Sequence, residues 1–326
     1  MSGSTEELED EFEDELEGSL EEEQDESGFA RTYTVELLYK EKPVLDKDVL
    51  YAKMQAYTGD VQRPDEDDKE QTGSGAEMPV WEANDSGADS QLTYMFFHMN
   101  HMVEYADGSV PAQTCVFAAN EISGSYMYET ALQQSWHWPE VRETVDECRH
   151  SLLLTDFCAA GLDYKERLQL FQNALRALLE TAPCDAIYWK TSEKFIQPQA
   201  YTEAVAGGQL LHGALNIRFY SVEGTGSGRQ EALMDTCGLA ALGIPDVQCH
   251  FYDLSPNEVA DSLNDLAYYL FDKGNVIQDG ETVGMTGDQR WRCEHQFALA
   301  VPQRYVIDLD PGEPYYAGKQ HHDEAE

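Results

Sequence analysis

Hydrophobic positions along this chain switch between a period of two and a period of three to four. The switches mark out alternating strands and helices. Residues 32–39 are β-branched and aromatic in alternation and predict a strand. Val49, Leu50, Met54 and Tyr57 recur at helical spacing and predict a helix over 46–57. Residues 92–105 and 112–119 read as strands joined across Ala-Asp-Gly-Ser, a turn signal. A helix over 138–149, with Pro139 in its first turn, and a short apolar strand over 151–157 follow. The resulting β-α-β-β-α-β order is that of a split, ferredoxin-like unit.

A related order recurs downstream. Leu168, Phe171, Leu175, Leu178 and Leu179 give residues 164–181 one apolar face, so this stretch predicts a helix. Strands are predicted at 186–189, 215–221, 233–236 and 247–254, with a helix over 197–206. Ser255-Pro-Asn-Glu258 has the residues of a capping box with Pro at the first helical position, and Lys273-Gly274 has those of a helix stop. Residues 275–283, 297–301 and 305–309 read as closing strands. The fold class expected is α+β: two lobes of mixed or antiparallel sheet with packed helices, an amino-terminal lobe over 29–160 and a carboxyl-terminal lobe over 161–312. Outside them lie an acidic disordered tail over 1–28, a long polar loop over 63–90 and a frayed tail over 313–326.

Charge changes the picture most. The chain holds 62 acids against 21 bases, a net charge of −41. The first 27 residues contribute −14 of this with no Lys or Arg, which leaves −27 on the rest. Such a surface repels phosphate backbones and argues against nucleic-acid binding. It suits solubility or a basic protein partner. No apolar run reaches the length of a membrane span, so no membrane association is expected. The seven cysteines are odd in number and form no Cys-x-x-Cys, which points to reduced thiols and a cytoplasmic location rather than a disulfide framework.

Several motifs together carry a family resemblance. They are Asp107-Gly-Ser-Val-Pro111, Trp136-His-Trp-Pro139, Cys148-Arg-His-Ser-Leu152, Tyr164-Lys-Glu-Arg167, Leu211-His-Gly-Ala214, the run from Asp235 to Gly243, and Trp291-Arg-Cys-Glu-His295. On these, residues 33–312 resemble the bacterial domain-of-unknown-function family 4261, with the family domain at about 215–312. The resemblance implies no activity. Some members look like immunity-type genes beside bacterial toxins.

Candidate chemistry is thin. His98-x-x-His101 would place its rings on opposite faces of a strand. Cys249-His250 and Cys293-Glu-His295 invite thiol–imidazole chemistry but lack zinc-ligand spacing. Cys237 precedes Gly238 at a turn read as a helix start, and a helix N-terminus would lower its thiol pKa. The Gly224–Gly228 run lacks the Lys-Ser/Thr of a phosphate-binding loop. Asp308 and Asp310 would share one strand face, a place for a divalent cation. No metal or cofactor is expected. Trp136 and Trp138 read either as packing at a helix entrance or as partner anchors, and Tyr268 and Tyr269 pose the same choice.

The expected function is a non-enzymatic, acidic, protein-binding module, immunity-like in its sharpest form, with Trp136, Trp138, Tyr268 and Tyr269 as the partner-binding set. The alternative is an enzyme using Cys237, Cys293 or His295. Oligomeric state stays open.

Overall fold

The computed structural model describes residues 32–61, 82–84, 92–106, 108–222, 228–284 and 289–318. The acidic segment 1–28, most of the polar stretch 63–90, Asp107 and Gly224 to Ser227 lie outside these residues. Two sheets with packed helices give the α+β, two-lobed architecture expected.

The first sheet contains β1 (Thr34–Tyr39), β2 (Glu82–Asn84), β3 (Leu92–Tyr105), β4 (Gly108–Glu121), β5 (His150–Phe157), β6 (Ala186–Trp189) and β7 (Lys194–Ile196). Their spatial order is β2-β3-β4-β5-β1-β6-β7, and every pairing is antiparallel. This is not the ferredoxin-like order. There the first strand lies parallel beside the third, whereas here β1 sits antiparallel between β5 and β6. β3 and β4 form a hairpin, β5 returns beside β4 after the helical segment 122–149, and β1 pairs with the outer edge of β5 while β2 takes that of β3. β1 is buried on both faces and so belongs inside the sheet rather than at its rim.

Helices α1 (Lys47–Thr58) and α4 (Tyr164–Thr181) cover one face of this sheet. Leu50 and Met54 of α1, with Phe171, Leu175 and Leu178 of α4, pack on Val35, Leu37 and Leu152. Asp46 caps α1 and Asp163 caps α4, each carboxylate accepting two backbone N–H groups of the first turn. On the other face, α2 (Glu129–Gln133) and α3 (Val141–Glu147) bring Leu132, Val141 and Val145 onto Leu38, Ala186 and Phe195. The helix expected over 138–149 is therefore shorter: Pro139 closes a turn before α3 rather than opening the helix. Because α4, β6 and β7 join the first sheet, its span runs to Ile196 rather than ending near 160.

After α5 (Pro198–Ala206), the second sheet is built from β8 (Asn216–Val222), β9 (Glu231–Cys237), β10 (Asp246–Tyr252), β11 (Thr282–Gly284), β12 (Arg290–Phe297) and β13 (Tyr305–Asp310). Its order is β11-β12-β13-β10-β9-β8. α6 (Pro256–Lys273) crosses between β10 and the later strands, and the pair β10–β13 is parallel. Ser255 makes no side-chain cap bond, so the expected capping box does not form; Pro256 at the start and Gly274 at the end do bound the helix. The strands expected at 275–283 and 297–301 are instead the short β11 and the preceding β12. Trp291 and Cys293 of β12 are buried between exposed Arg290, Arg292 and Glu294, the alternation of a half-buried strand.

The two faces of the second sheet differ. One meets α6 through Met234, Val247, Cys249, Phe251 and Ile307, in a core continuous with that of the first lobe. The other is buried and polar. Register sets Arg218 opposite Asp235, Asp235 opposite Gln248, and Gln248 opposite Asp308. Arg218 forks onto Asp235 and also reaches Glu193 and the Val301 carbonyl. Arg304 joins Asp235 to Asp246, so three carboxylates and two guanidiniums alternate. Residues past Gly312, expected to fray, hold this face instead: Tyr316 donates to Asp308 Oδ2, and Ala317 N donates to the His250 carbonyl. Buried polar groups are kept only when paired, and this network pairs them.

Candidate functional site

Tyr268 and Tyr269 are neighbours on α6, and consecutive helical side chains point about 100° apart. They open into two different concavities. Tyr268 and Asn264 line a cleft at the seam of the lobes; Tyr269, Asp265 and Asp261 line a groove on the outer side.

The groove has a volume of about 940 Å³. Its far wall is the segment 276–284, including Val276, Ile277, Glu281 and Val283. That wall is fixed to β12: Gly280 N donates to the Cys293 carbonyl, and Cys293 N donates to the Glu281 carbonyl. Leu266 and Ile277 supply apolar floor, while Asp261, Asp265 and Glu281 supply negative charge, with no basic side chain in the lining among the described residues.

The cleft has a volume of about 500 Å³ and lies where the edge strand of each sheet ends. Lys194 stands on edge strand β7. Asn216 and Ile217 come from β8, and Leu211, His212 and Leu215 from the segment before it. Trp136 and His137 come from the turn after α2. Two glycines let this segment approach. A Cβ on Gly213 would lie 2.5 Å from Trp189 Nε1, and one on Gly238 would lie 1.9 Å from the Ala214 carbonyl oxygen. The Gln134 side chain then spans the lobes, accepting from Phe219 N and donating to Phe219 O as a strand neighbour would. Ser192 Oγ donates to the Gly213 carbonyl at 2.6 Å.

Electrostatically the cleft inverts the rest of the molecule. Its basic residues are Lys194, His137 and His212, and among the described residues none that lines it is acidic. Lys194 donates to the Leu215 carbonyl at 2.9 Å. Its side chain keeps some access through the mouth, but its ammonium is surrounded by protein, and that burial brings its pKa down to about 8. His212 is lowered to about 4, by burial first and then by the nearby Lys194 and His137 charges. His137 is lowered for the same reasons, burial first and then Lys194, and its Nε2 is bonded to the Phe195 carbonyl.

The four aromatics expected as one partner-binding set are divided. Trp136 is 61% exposed at the cleft beside Tyr268, whereas Trp138 is 9% exposed and packs with Leu132, Val141 and Phe195. Trp138 thus has the packing role. Tyr269 belongs to the groove.

The thiol candidates are not brought to a reactive site. Cys237 is buried, and burial pushes its thiol up to about 12. The backbone amides of Gly238, Leu239 and Ala240 that were to activate it donate to Asp246 instead. Cys293 is buried and raised to about 11 by burial. His295 shares its strand face but commits Nδ1 to Asp279 and Nε2 to Asn275. His250 bonds to Glu231, and His98 to Thr114. Both Asp308 oxygens are occupied, by Gln248 and Tyr316. Among the described residues, no helix is long and apolar enough to cross a membrane.

Sequence reasoning missed Lys194, His137 and His212 as a group. The histidines lay inside quoted motifs, yet Lys194 stands in no pattern that distinguishes it from a surface lysine. The acidic side of α6 was legible in principle, since Asp261, Asp265 and Tyr269 recur every four residues.

Residues 235–310 match the model of the family described as Domain of unknown function (DUF4261). The match lies in the carboxyl-terminal part of the chain, from the last residues of β9 through β13, and begins about twenty residues later than the resemblance placed it. No curated protein and no solved structure matches the chain. The matched span holds Asp235, Asp246 and Arg304 of the buried network and both walls of the acidic groove. It contains Asn264 and Tyr268 of the cleft but not Lys194, His137 or His212.

Proposed function

We propose that this protein is a non-enzymatic binding module whose acidic groove takes a basic segment of a partner protein. The observation that carries the reading is the groove itself: Asp261, Asp265 and Glu281 ring an apolar floor with Tyr269 at its side. A segment with Lys or Arg flanking an apolar residue would meet carboxylates and floor together. The strongly negative chain, at −41, would speed the encounter with such a partner, while Tyr269 and the floor would set how long it stays. Neutralisation of a basic toxin is the sharpest version of this reading.

The test is affinity capture from a lysate of the source organism, using the full chain and the variant Asp261→Asn/Asp265→Asn/Glu281→Gln. Basic proteins retained by the first and lost by the second, with melting unchanged, support the reading. The same proteins on both, or no basic protein on either, defeat it. Tyr269→Ala should speed dissociation of a captured partner by about tenfold, the equivalent of ~1.4 kcal/mol.

A further inference from the structure

We infer that the cleft between the lobes is a binding site for a small carboxylate ligand with a flat apolar body, its carboxylate held by Lys194 and its body lying between the apolar wall and Trp136 and Tyr268. This goes beyond the partner proposed for the groove, and it concerns a different concavity on the other side of α6.

Lys194 is the first reason. In a chain with 62 acids and 21 bases, a cation facing a cavity would be expected to find a carboxylate. Among the described residues Lys194 finds none: it donates to a neutral carbonyl, that of Leu215, and no acidic residue lines the cavity. An ammonium carries three donors, so hydrogen-bonding capacity remains for a ligand oxygen. Burying a cation without a counter-charge is unfavourable, and a bound anion removes the deficit.

The histidines add to this. His212 Nε2 is a buried ring nitrogen with no hydrogen-bond partner. His137 holds one nitrogen on the Phe195 carbonyl at 2.8 Å. With its pKa at about 4, His212 is neutral at pH 7 and can serve an anion only as a neutral N–H donor, which leaves Lys194 as the cation of the cleft.

Shape selects the rest of the ligand. Leu211, Leu215 and Ile217 form an apolar wall. Trp136 and Tyr268, exposed at the mouth, present ring faces to which a flat group can stack. Asn216, Asn264 and Gln209 add amides that read polar substituents. Free phosphate would satisfy the cation but leave the wall and rings unused.

The experiment is calorimetric titration of the full chain with benzoate, with benzamide as its neutral twin and with inorganic phosphate as an anion lacking an apolar body. Benzoate should bind one per chain, at least tenfold more tightly than benzamide or phosphate. Lys194→Met should abolish that preference while leaving benzamide binding within about twofold. Lys194→Gln, which keeps a donor for the Leu215 carbonyl, should do the same and so separates charge from a disturbed cleft. Trp136→Ala should weaken benzoate and benzamide alike. Equal binding of benzoate and benzamide, no benzoate binding, phosphate as tight as benzoate, or a preference that survives Lys194→Gln would each overturn the inference. These outcomes involve no protein partner, so they are independent of the capture experiment.

Discussion

The two concavities beside α6 are built from one helix and have opposite character. The outer groove draws both its walls from the second lobe, is lined by acids, and shares the charge of the whole chain. The inner cleft draws on both lobes, is lined by bases, and runs against that charge. The groove could exist on a single amphipathic helix packed on its own sheet. The cleft exists only because the two sheets meet edge to edge. An acidic concavity on an acidic protein follows from composition; a basic one has to be assembled and then shielded from 62 carboxylates. The difference teaches that the locally unusual site, rather than the one typical of the surface, reports most about what the tertiary structure was built to hold.

The comparison can be broken most severely at the buried network behind the cleft. Asp235→Ala leaves Arg218 and Arg304 without their shared carboxylate. A cost of about 3–5 kcal/mol is expected, read as a fall in the urea midpoint. Through Arg218 and Glu193 the loss should loosen the cleft first. A change under ~1 kcal/mol would show that the network is incidental.

The tryptophan pair gives the next effect. Trp138→Ala should cost about 3–5 kcal/mol, as for a buried aromatic, and Trp136→Ala less than ~1 kcal/mol. Equal losses in thermal melting would place both in the core and remove Trp136 from the cleft mouth.

A smaller effect, with a pH signature, belongs to Lys194. Its folded pKa, about 8, is below the ordinary lysine value of 10.5. Between those values the unfolded chain holds the extra proton, so stability rises with pH across that window. Below it both states are protonated and the unfavourable buried charge is fully present. Lys194→Met should therefore be more stable than the parent at pH 7, by ~1 kcal/mol after allowance for solvent at the half-buried side chain. The gain should fade towards pH 10.5. A difference that stays constant from pH 7 to 10.5 contradicts the assignment of a destabilised cation.

The smallest effect is at the groove. Asp261 and Asp265 are like charges four apart on a helix, and Asp265→Asn should stabilise by ~0.2–0.5 kcal/mol at low salt. The gain should shrink at high salt. A clear destabilisation would mean that Asp265 is engaged in the fold rather than free to meet a partner.

Much of the local architecture was legible. The apolar faces of α4 and α6 predicted both helices, and the alternating or apolar runs of β1, β5, β9, β10 and β13 predicted strands within a few residues. β12 was missed because its exposed arginines and glutamate made a buried–exposed alternation look like a polar motif. The ferredoxin-like order failed for a different reason. Strand order depends on which edges remain open once β3, β4 and β5 have paired, and that is not written in any one segment. Of the candidate residues, Trp136, Trp138, Tyr268 and Tyr269 were singled out together as packing or partner anchors; that Trp138 packs and the other three face two different concavities was not visible.

The sequence by itself determined the long helices and most strands, the acidic character and the thiols' apolar surroundings, because each depends on composition or on neighbours within a few positions. Tertiary structure decided the rest. The ladder from Arg218 through Asp235 and Gln248 to Asp308 exists through cross-strand register. The cluster of His137, Lys194 and His212 exists through the meeting of two sheet edges. Charges far apart in the chain are solvated independently when unfolded. Only folding removes the water between them and makes pairing, or its absence at Lys194, a matter of energy.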